Sequence, residues 1–428
     1  MAGVCWKRSA PPNEDRERKE HVMAKIMPTT VAPMPPVDGL PIERSDPFDP
    51  PAVLAALREE RPISRLRYPD GSLGWLVTSY PLARAVLADP RFSRRRELQR
   101  APRRIAFEEE HPGPSEPGFF IGMDPPEHTR YRRQLTSHFT VRRMRELEDR
   151  IARITAEHLD AMERHGSPAD LVAEFALPIP SLVICELLGV PYTDREKFQH
   201  DTRVLLHLES TFEEAMGALV SLRQYLHGLV VRKRAEPADD LISTLISGGA
   251  LDDEEIAGIA VLLLIAGHET TANMLGLGTF ALLRHPDQLA ALRADPLLVE
   301  NAVEELLRYL TIVHIGPTRA ALEDVELGGE VVRAGEVVTL SLPAANRDPE
   351  RFEDPEELDL RRSATGHLAF GHGIHQCLGQ QLARIEMRTG FNALFSRFPN
   401  LRLAVEPEDV QLRTDMAIYG VHSLPVAW

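Results

Sequence analysis

The chain has 428 residues, 43% of them hydrophobic and 26% charged, and a formal net charge of −15. It is long enough to bury a large core without disulfide staples, and its acidic balance argues against non-specific attraction to nucleic acid or to an anionic membrane. Its cysteines, Cys5, Cys185 and Cys377, are three in number and far apart, with no secretion signal; this points to a reducing cytoplasm and not to a disulfide framework.

Along the chain, the first 40 residues run from a charged start to a proline-rich end and lack the apolar core of a signal peptide. Residues 1–40 are expected to be an unstructured leader carrying an exposed Cys5, with Met23 and Met27 as alternative starts; residues 41–428 are expected to form a single domain. Apolar residues at three and four spacings predict helices in "PPAVLAALREERP", "SYPLARAVLADP", "VRRMRELEDRIARITAEHLDAMERHG", "EEAMGALVSLRQYLHGLVVRKRAE", "HPDQLAALRADPLLVENAVEELLRYL" and "CLGQQLARIEMRTGFNALFSRF". A hairpin is expected around Pro69-Asp70-Gly71, further strands in "VELGGEVVRAGEVVTLSL", and a weaker one near the C-terminus. The arginine-rich stretch from Arg91 to Arg104, followed by Glu108 to Glu110, is expected to be a solvated loop or a mobile cover over a site. Cys185 lies in an apolar stretch and is expected to be a core filler.

Ile256 to Leu283 imitates a membrane span, but its unbroken apolar run is only 12 residues and is followed by His268, Glu269, Thr270 and Thr271. A long helix buried inside the protein fits better than a bilayer anchor.

"FGHGIHQCLG", Phe370 to Gly379, holds one cysteine, two histidines and three glycines. Zinc would crowd His372, His375 and Cys377 into six residues, with no fourth ligand at finger spacing. The glycines need another reason. Gly371 and Gly373 permit a tight turn, Gly379 permits close approach as a helix begins, and a cysteine at that helix start faces backbone N–H groups that lower its pKa. A flat cofactor lying on the loop would use this open geometry.

Phe370, Gly373, Cys377 and Gly379 resemble the cysteine-loop signature of the cytochrome P-450 family, the haem-thiolate monooxygenases, and the resemblance covers roughly residues 45–428. It implies a mainly α fold with a small β region, in which a long central helix crosses a haem b. Cys377 would be the axial iron ligand. "AGHETT" would place Ala266 beside the cofactor and give Glu269 and Thr270 as the acid–alcohol pair that delivers protons during dioxygen activation, with Ala266 and Gly267 small enough to leave room for a diatomic ligand. In "EELLR", Glu305 and Arg308 would form a buried structural pair completed by Arg362. His128 and Arg132, at i and i+4 on a helix opened by Pro125-Pro126, would meet the haem propionates together with Arg319 and His375. Arg130 and Arg133 would leave that face and could join a basic patch for an acidic electron carrier.

The chain lacks a nicotinamide- or flavin-binding glycine fingerprint, so electrons are expected to come from NAD(P)H through ferredoxin and ferredoxin reductase. The resemblance further implies a cytoplasmic monomer without a membrane anchor, which hydroxylates or epoxidises a bulky hydrophobic molecule. A macrolide or other polyketide, a polyene macrolide among them, is the expected substrate, lined by Leu263, Ile315, Ala417 and Ile418. A steroid or xenobiotic hydroxylase, a peroxide-using peroxygenase and a non-catalytic haem- or zinc-binding protein are the alternatives.

Overall fold

The computed structural model describes Met1, Gly3 and residues 35–103 and 113–428. Most of the expected leader, Cys5 and the acidic run at Glu108 to Glu110 lie outside the described residues. Residues 37–428 form one unit. It begins four residues before the expected boundary, because β1 (Val37–Asp38) pairs in parallel with β2 (Ile63–Arg67).

The helical series begins with α1 (Ala52–Glu60), α2 (Tyr80–Ala88), α3 (Glu127–Thr136), α4 (Val141–Arg145), α5 (Glu148–His165), α6 (Pro178–Leu188) and α7 (Arg195–Leu206), the last two lying outside the segments predicted as helices. It continues through α8 (Phe212–Ala235), α9 (Leu241–Gly248), α10 (Asp253–Arg284), α11 (Pro286–Ala294), α12 (Val299–Leu310), α13 (Leu342–Ala345) and α14 (Gln380–Arg397). Two predicted helices are split. Between α4 and α5, Leu147 N–H bonds the Met144 carbonyl, a tight i−3 bond that breaks the helical ladder. Between α11 and α12, Pro296 has no N–H to give, and the Asp295 carboxylate accepts the Leu297 N–H instead.

The hairpin around Asp70-Gly71 pairs β2 antiparallel to β3 (Leu73–Val77), with Ile63 opposite Val77. The six-stranded sheet runs β1-β2-β3-β9-β6-β4, where β9 is Val337–Leu340, β6 Thr318–Ala321 and β4 Phe92–Ser93. Gly328 and Gly329, both at positive φ, turn β7 (Val325–Leu327) into β8 (Glu330–Val332). A second sheet joins β10 (Arg402–Leu403), β11 (Pro425–Ala427) and β5 (Ala169–Asp170). The arginine-rich stretch is therefore not loop throughout: Phe92 and Ser93 pair with Ala321 and Ala320, and Asp124 accepts from the Ser93 hydroxyl and the Arg94 N–H.

The long helix α10 is the spine. Its start is fixed by a capping box between Asp252 and Glu255, and Arg130 and Tyr131 of α3 both donate to Glu255. By length and apolarity alone α10 could cross a membrane, yet 72% of its most apolar window is buried against the rest of the protein. It packs on α6, α8 and α14. Close approach is built in. A Cβ at Gly267 would stand 2.7 Å from Ile184 Cδ1 of α6, and one at Gly278 would stand 2.7 Å from the Phe391 ring of α14.

Candidate functional site

Three backbone bonds shape the cysteine loop ahead of α14. Cys377 N–H donates to the Phe370 carbonyl at 2.9 Å, Gln376 N–H to Gly373 at 3.1 Å, and Gly371 N–H to Leu368 at 2.8 Å. Gly373, at φ +73°, must be glycine twice over: its backbone is left-handed, and a Cβ would lie 2.3 Å from the Leu87 carbonyl oxygen of α2. Gly379 differs from expectation. It caps α14 at φ −82°, and a Cβ there would meet nothing within 4 Å, so the protein's own packing gives no reason for glycine.

The Cys377 thiol is half-buried, and its burial pushes its pKa up; the N–H groups of Gly379 and Gln380, with Arg132 and Arg384, pull it back without prevailing. The helix-start effect expected from the sequence is therefore present but outweighed by desolvation. His372 leaves the loop sideways and accepts from Arg84 Nε of α2 at 3.3 Å. Among the described residues, no three His, Cys, Asp or Glu side chains are grouped to hold a metal, which removes the zinc arrangement of His372, His375 and Cys377.

Four side chains able to donate hydrogen bonds, two imidazoles and two guanidiniums, converge beside this loop. His128 is 2% exposed and neither of its ring nitrogens has a partner; His375 Nε2 has none either, and the two rings are 4.3 Å apart. Arg319 on β6 is 4% exposed and, among the described residues, donates only to its neighbour, the Thr318 carbonyl. Arg132 reaches across to the Gln376 carbonyl at 2.5 Å. Burial lowers His128 to about 4, assisted by Arg132; burial followed by repulsion from Arg319 and His128 lowers His375 to about 2; burial and then Arg94 lower Arg319 to about 9. Asp124 is the acid that acts on His128 and Arg319, and it does not outweigh their burial; buried donors crowded together in this way mark a site built for an anion. With one sulfur ligand and open loop glycines alongside, this donor set fits a haem and its two propionates.

The second expected cluster lies in the middle of α10. The helix is buried on most sides, yet Ala266 is exposed and Thr270 half-buried, one turn apart on one stripe. The Thr270 hydroxyl donates to the Ala266 carbonyl at 2.8 Å. Glu269 does not share that stripe. It is 1% exposed and forms an ion pair, 2.9 Å long, with Arg413 of the C-terminal loop, while Asn273 Nδ2 donates to its carbonyl at 2.7 Å. Gly267 is also turned away: Ile184 requires it small, not a diatomic ligand.

Behind the loop, Glu305 and Arg308 of α12 are both 0% exposed and paired twice, at 2.7 and 2.8 Å; Arg362 Nε reaches the same carboxylate at 3.1 Å. Arg308 also donates to the carbonyls of Asn346, Pro355 and Glu357.

A family model for "Cytochrome P450" matches residues 76–418. The chain belongs to the cytochrome P450 family. It is 56% identical over 388 residues to "Cytochrome P450 105C1" of a Streptomyces species, covering 90% of this chain and 97% of that one. Among solved structures it resembles CYP105P1 in complex with filipin I, at 45% identity and TM-score 0.86, covering 92% of this chain and 99% of that one. It also resembles the mycinamicin VIII C21 methyl hydroxylase MycCI of Micromonospora griseorubida bound to mycinamicin VIII, at 39% identity and TM-score 0.86, covering 92% and 100%. The chain is thus a P450 monooxygenase of the 105 type that binds haem b.

Several residues of this P450 escape sequence reasoning. Glu304, the neighbour of Glu305, accepts from Arg384 at 2.5 and 3.0 Å and contacts His367 at 3.2 Å. Burial alone would raise its carboxyl; His367 and Arg384 outweigh that and hold it at about 2. Arg384 in turn lies 4.6 Å over the Phe370 ring, so the cysteine loop is held from behind. The doubled acid in "EELLR" was the available signal. Arg413 had none. Arg130 is not free for a basic patch, because Glu255 and the Ala250 carbonyl engage it; Arg133 is exposed. Of the expected substrate contacts, Leu263 and Ile315 are buried at 8% and 7%, whereas Ala417 and Ile418 are half-buried on the C-terminal loop.

Proposed function

We propose that this P450 hydroxylates or epoxidises a bulky hydrophobic small molecule, a macrolide or related polyketide such as a polyene macrolide, as a monomer in the cytoplasm, with electrons delivered by ferredoxin and ferredoxin reductase. The observation that carries the proposal is the stripe of α10 at Ala266 and Thr270, left open in a helix that is otherwise mostly buried. The neighbours solved with filipin I and with mycinamicin VIII support the substrate class.

Cys377 would hold the iron through Sγ, Arg132 and Arg319 would neutralise the propionates, and His128 and His375 would donate N–H bonds to them. The bound haem supplies the activation of dioxygen and the insertion of one oxygen atom into the substrate. Thr270 keeps its hydroxyl proton on the Ala266 carbonyl, which turns the lone pairs of Oγ1 toward the open stripe, where they accept a proton-bearing group. Glu269 is the nearest acid along the helix and would resupply protons when its pair with Arg413 opens. Leu263, Ile315, Ala417 and Ile418 would line the apolar side and keep bulk water away.

Titrating the ferric protein with macrolides, steroids and small aromatics and reading the spin-state shift tests the substrate class. A response to steroids and none to macrolides would overturn it. Thr270→Ala should retain the thiolate band of the reduced carbon monoxide complex and substrate binding while diverting electrons to hydrogen peroxide. Unchanged product per NAD(P)H would remove Thr270 from proton delivery.

A further inference from the structure

We infer that Arg413, on the C-terminal loop, is a positioning residue for Glu269, and that this loop sets where the acid of the acid–alcohol pair stands. The inference rests on the proposed proton-delivery role of Glu269.

The ion pair is buried from both sides: the side chains of Arg413 and Glu269 are 9% and 2% exposed. It is nevertheless incomplete. The contact falls short of hydrogen-bond alignment, and Arg413 Nε and Nη2 have no hydrogen-bond partner. On the acid side, Asn273 Nδ2 stands 3.4 Å from Glu269 Oε2, at the outer limit of a hydrogen bond. A structural pair would use its donors, as Arg308 does on Glu305 and on three carbonyls. Arg413 instead holds Glu269 mainly by charge, which fixes a position without locking a geometry.

The loop that carries Arg413 is tied down at closely spaced points. Arg413 N–H donates to the Gly420 carbonyl, Ala417 N–H to Leu206 at the end of α7, and Leu208 N–H to Asp415. The Asp415 carboxylate is flanked by His207 at 3.2 Å and His422 at 2.7 Å. The Met416 carbonyl meets His314 Nε2 at 2.7 Å. Near Asn273 the fit is close enough that a Cβ on Gly420 would lie 2.0 Å from Asn273 Oδ1. The frame is held by many bonds, and the pair it presents to α10 is close but not aligned as a hydrogen bond. That combination suits an arm that sets an acid's position and lets it turn.

The test compares Arg413→Met, Arg413→Lys, Glu269→Gln and the double variant Glu269→Gln/Arg413→Met as haem-loaded proteins. In Arg413→Met the thiolate band and the substrate dissociation constant should stay within about twofold of wild type. Product per NAD(P)H should fall about tenfold and peroxide should rise to match. Arg413→Lys, which keeps the cation, should recover most of the coupling. In thermal melts of the ferric, substrate-free protein, the double variant should be no less stable than the weaker single variant, as expected for two partners in one interaction. Wild-type coupling in Arg413→Met, or additive losses of melting temperature in the double variant, would overturn the inference. Wild-type coupling in Glu269→Gln would instead overturn the proton-delivery role on which it rests. Should the methionine variant fail to take up haem, Arg413→Gln replaces it in the same comparisons.

Discussion

Two carboxylates deep in this P450 are paired with arginines, and the pairs are built differently. Behind the cysteine loop, Glu305 receives two bonds from Arg308, one from Arg362 and one from the Asp359 N–H, and Arg308 spends its remaining donors on carbonyls. In the middle of α10, Glu269 has one misaligned arginine and a distant amide. Glu386 of α14 goes further: it is 1% exposed, Thr271 is close enough to lower it slightly, yet neither carboxyl oxygen has a properly aligned partner. A fully satisfied buried pair fixes chain segments to one another. An under-satisfied one is costly, and its retention beside the open stripe of α10 speaks for motion or proton exchange there.

The strongest way to break that contrast is Arg308→Met. It strands a buried carboxylate and several carbonyls, and a loss of about 3–5 kcal/mol in urea unfolding is expected, with poor recovery of haem-loaded protein. A loss no larger than that of an exposed pair would show that the network behind the loop is dispensable.

Glu386 sharpens the contrast through pH. Burial raises its carboxyl from 4.5 to about 8. In the unfolded chain the proton leaves near the ordinary value, so between these two limits the folded state binds more protons and stability falls as pH rises. Glu386→Gln should remove that slope, leaving stability nearly equal to wild type at pH 4.5 and a few kcal/mol higher at pH 8. Parallel curves for the two proteins across this window, measured by urea unfolding, would place the ionisation elsewhere.

The smallest effect is expected at Thr270. Among the described residues its hydroxyl bonds only the preceding turn of its own helix, so Thr270→Ala should shift stability by no more than about 0.5 kcal/mol while still altering coupling. A large drop in melting temperature would make Thr270 a structural residue.

Much of this was readable in the chain itself. Helix periodicity located most of the long helices, because each buries one face at regular spacing, but it did not find α6 or α7. Strands of two to four residues, such as β4 and β6, carry too little alternation to be seen, although β6 bears Arg319. Residues with strong local chemistry stood out: Cys377 among glycines, Glu269 in an apolar helix, the i, i+3 pair of "EELLR". What stayed hidden depends on distant contacts. Arg413 meets Glu269 across 144 residues of chain, and the Arg384–Glu304 bond spans 80. Gly267 shows the reverse error, since a small residue in a notable motif invited a ligand-based reason when Ile184 supplied a packing one.

That single turn of α10 has a further consequence for anyone wishing to redirect the enzyme. Ala266 faces the open stripe, Gly267 receives Ile184 of α6, His268 sets its ring edge-on to Phe198 of α7 at 5.5 Å, and Glu269 faces the C-terminal loop. Four successive residues thus face four different surroundings. Mutational libraries aimed at new substrates will find this turn intolerant, and Gly267 the most so. Variation is better spent on Ala417 and Ile418, whose side chains are half-buried on a loop anchored largely through backbone bonds.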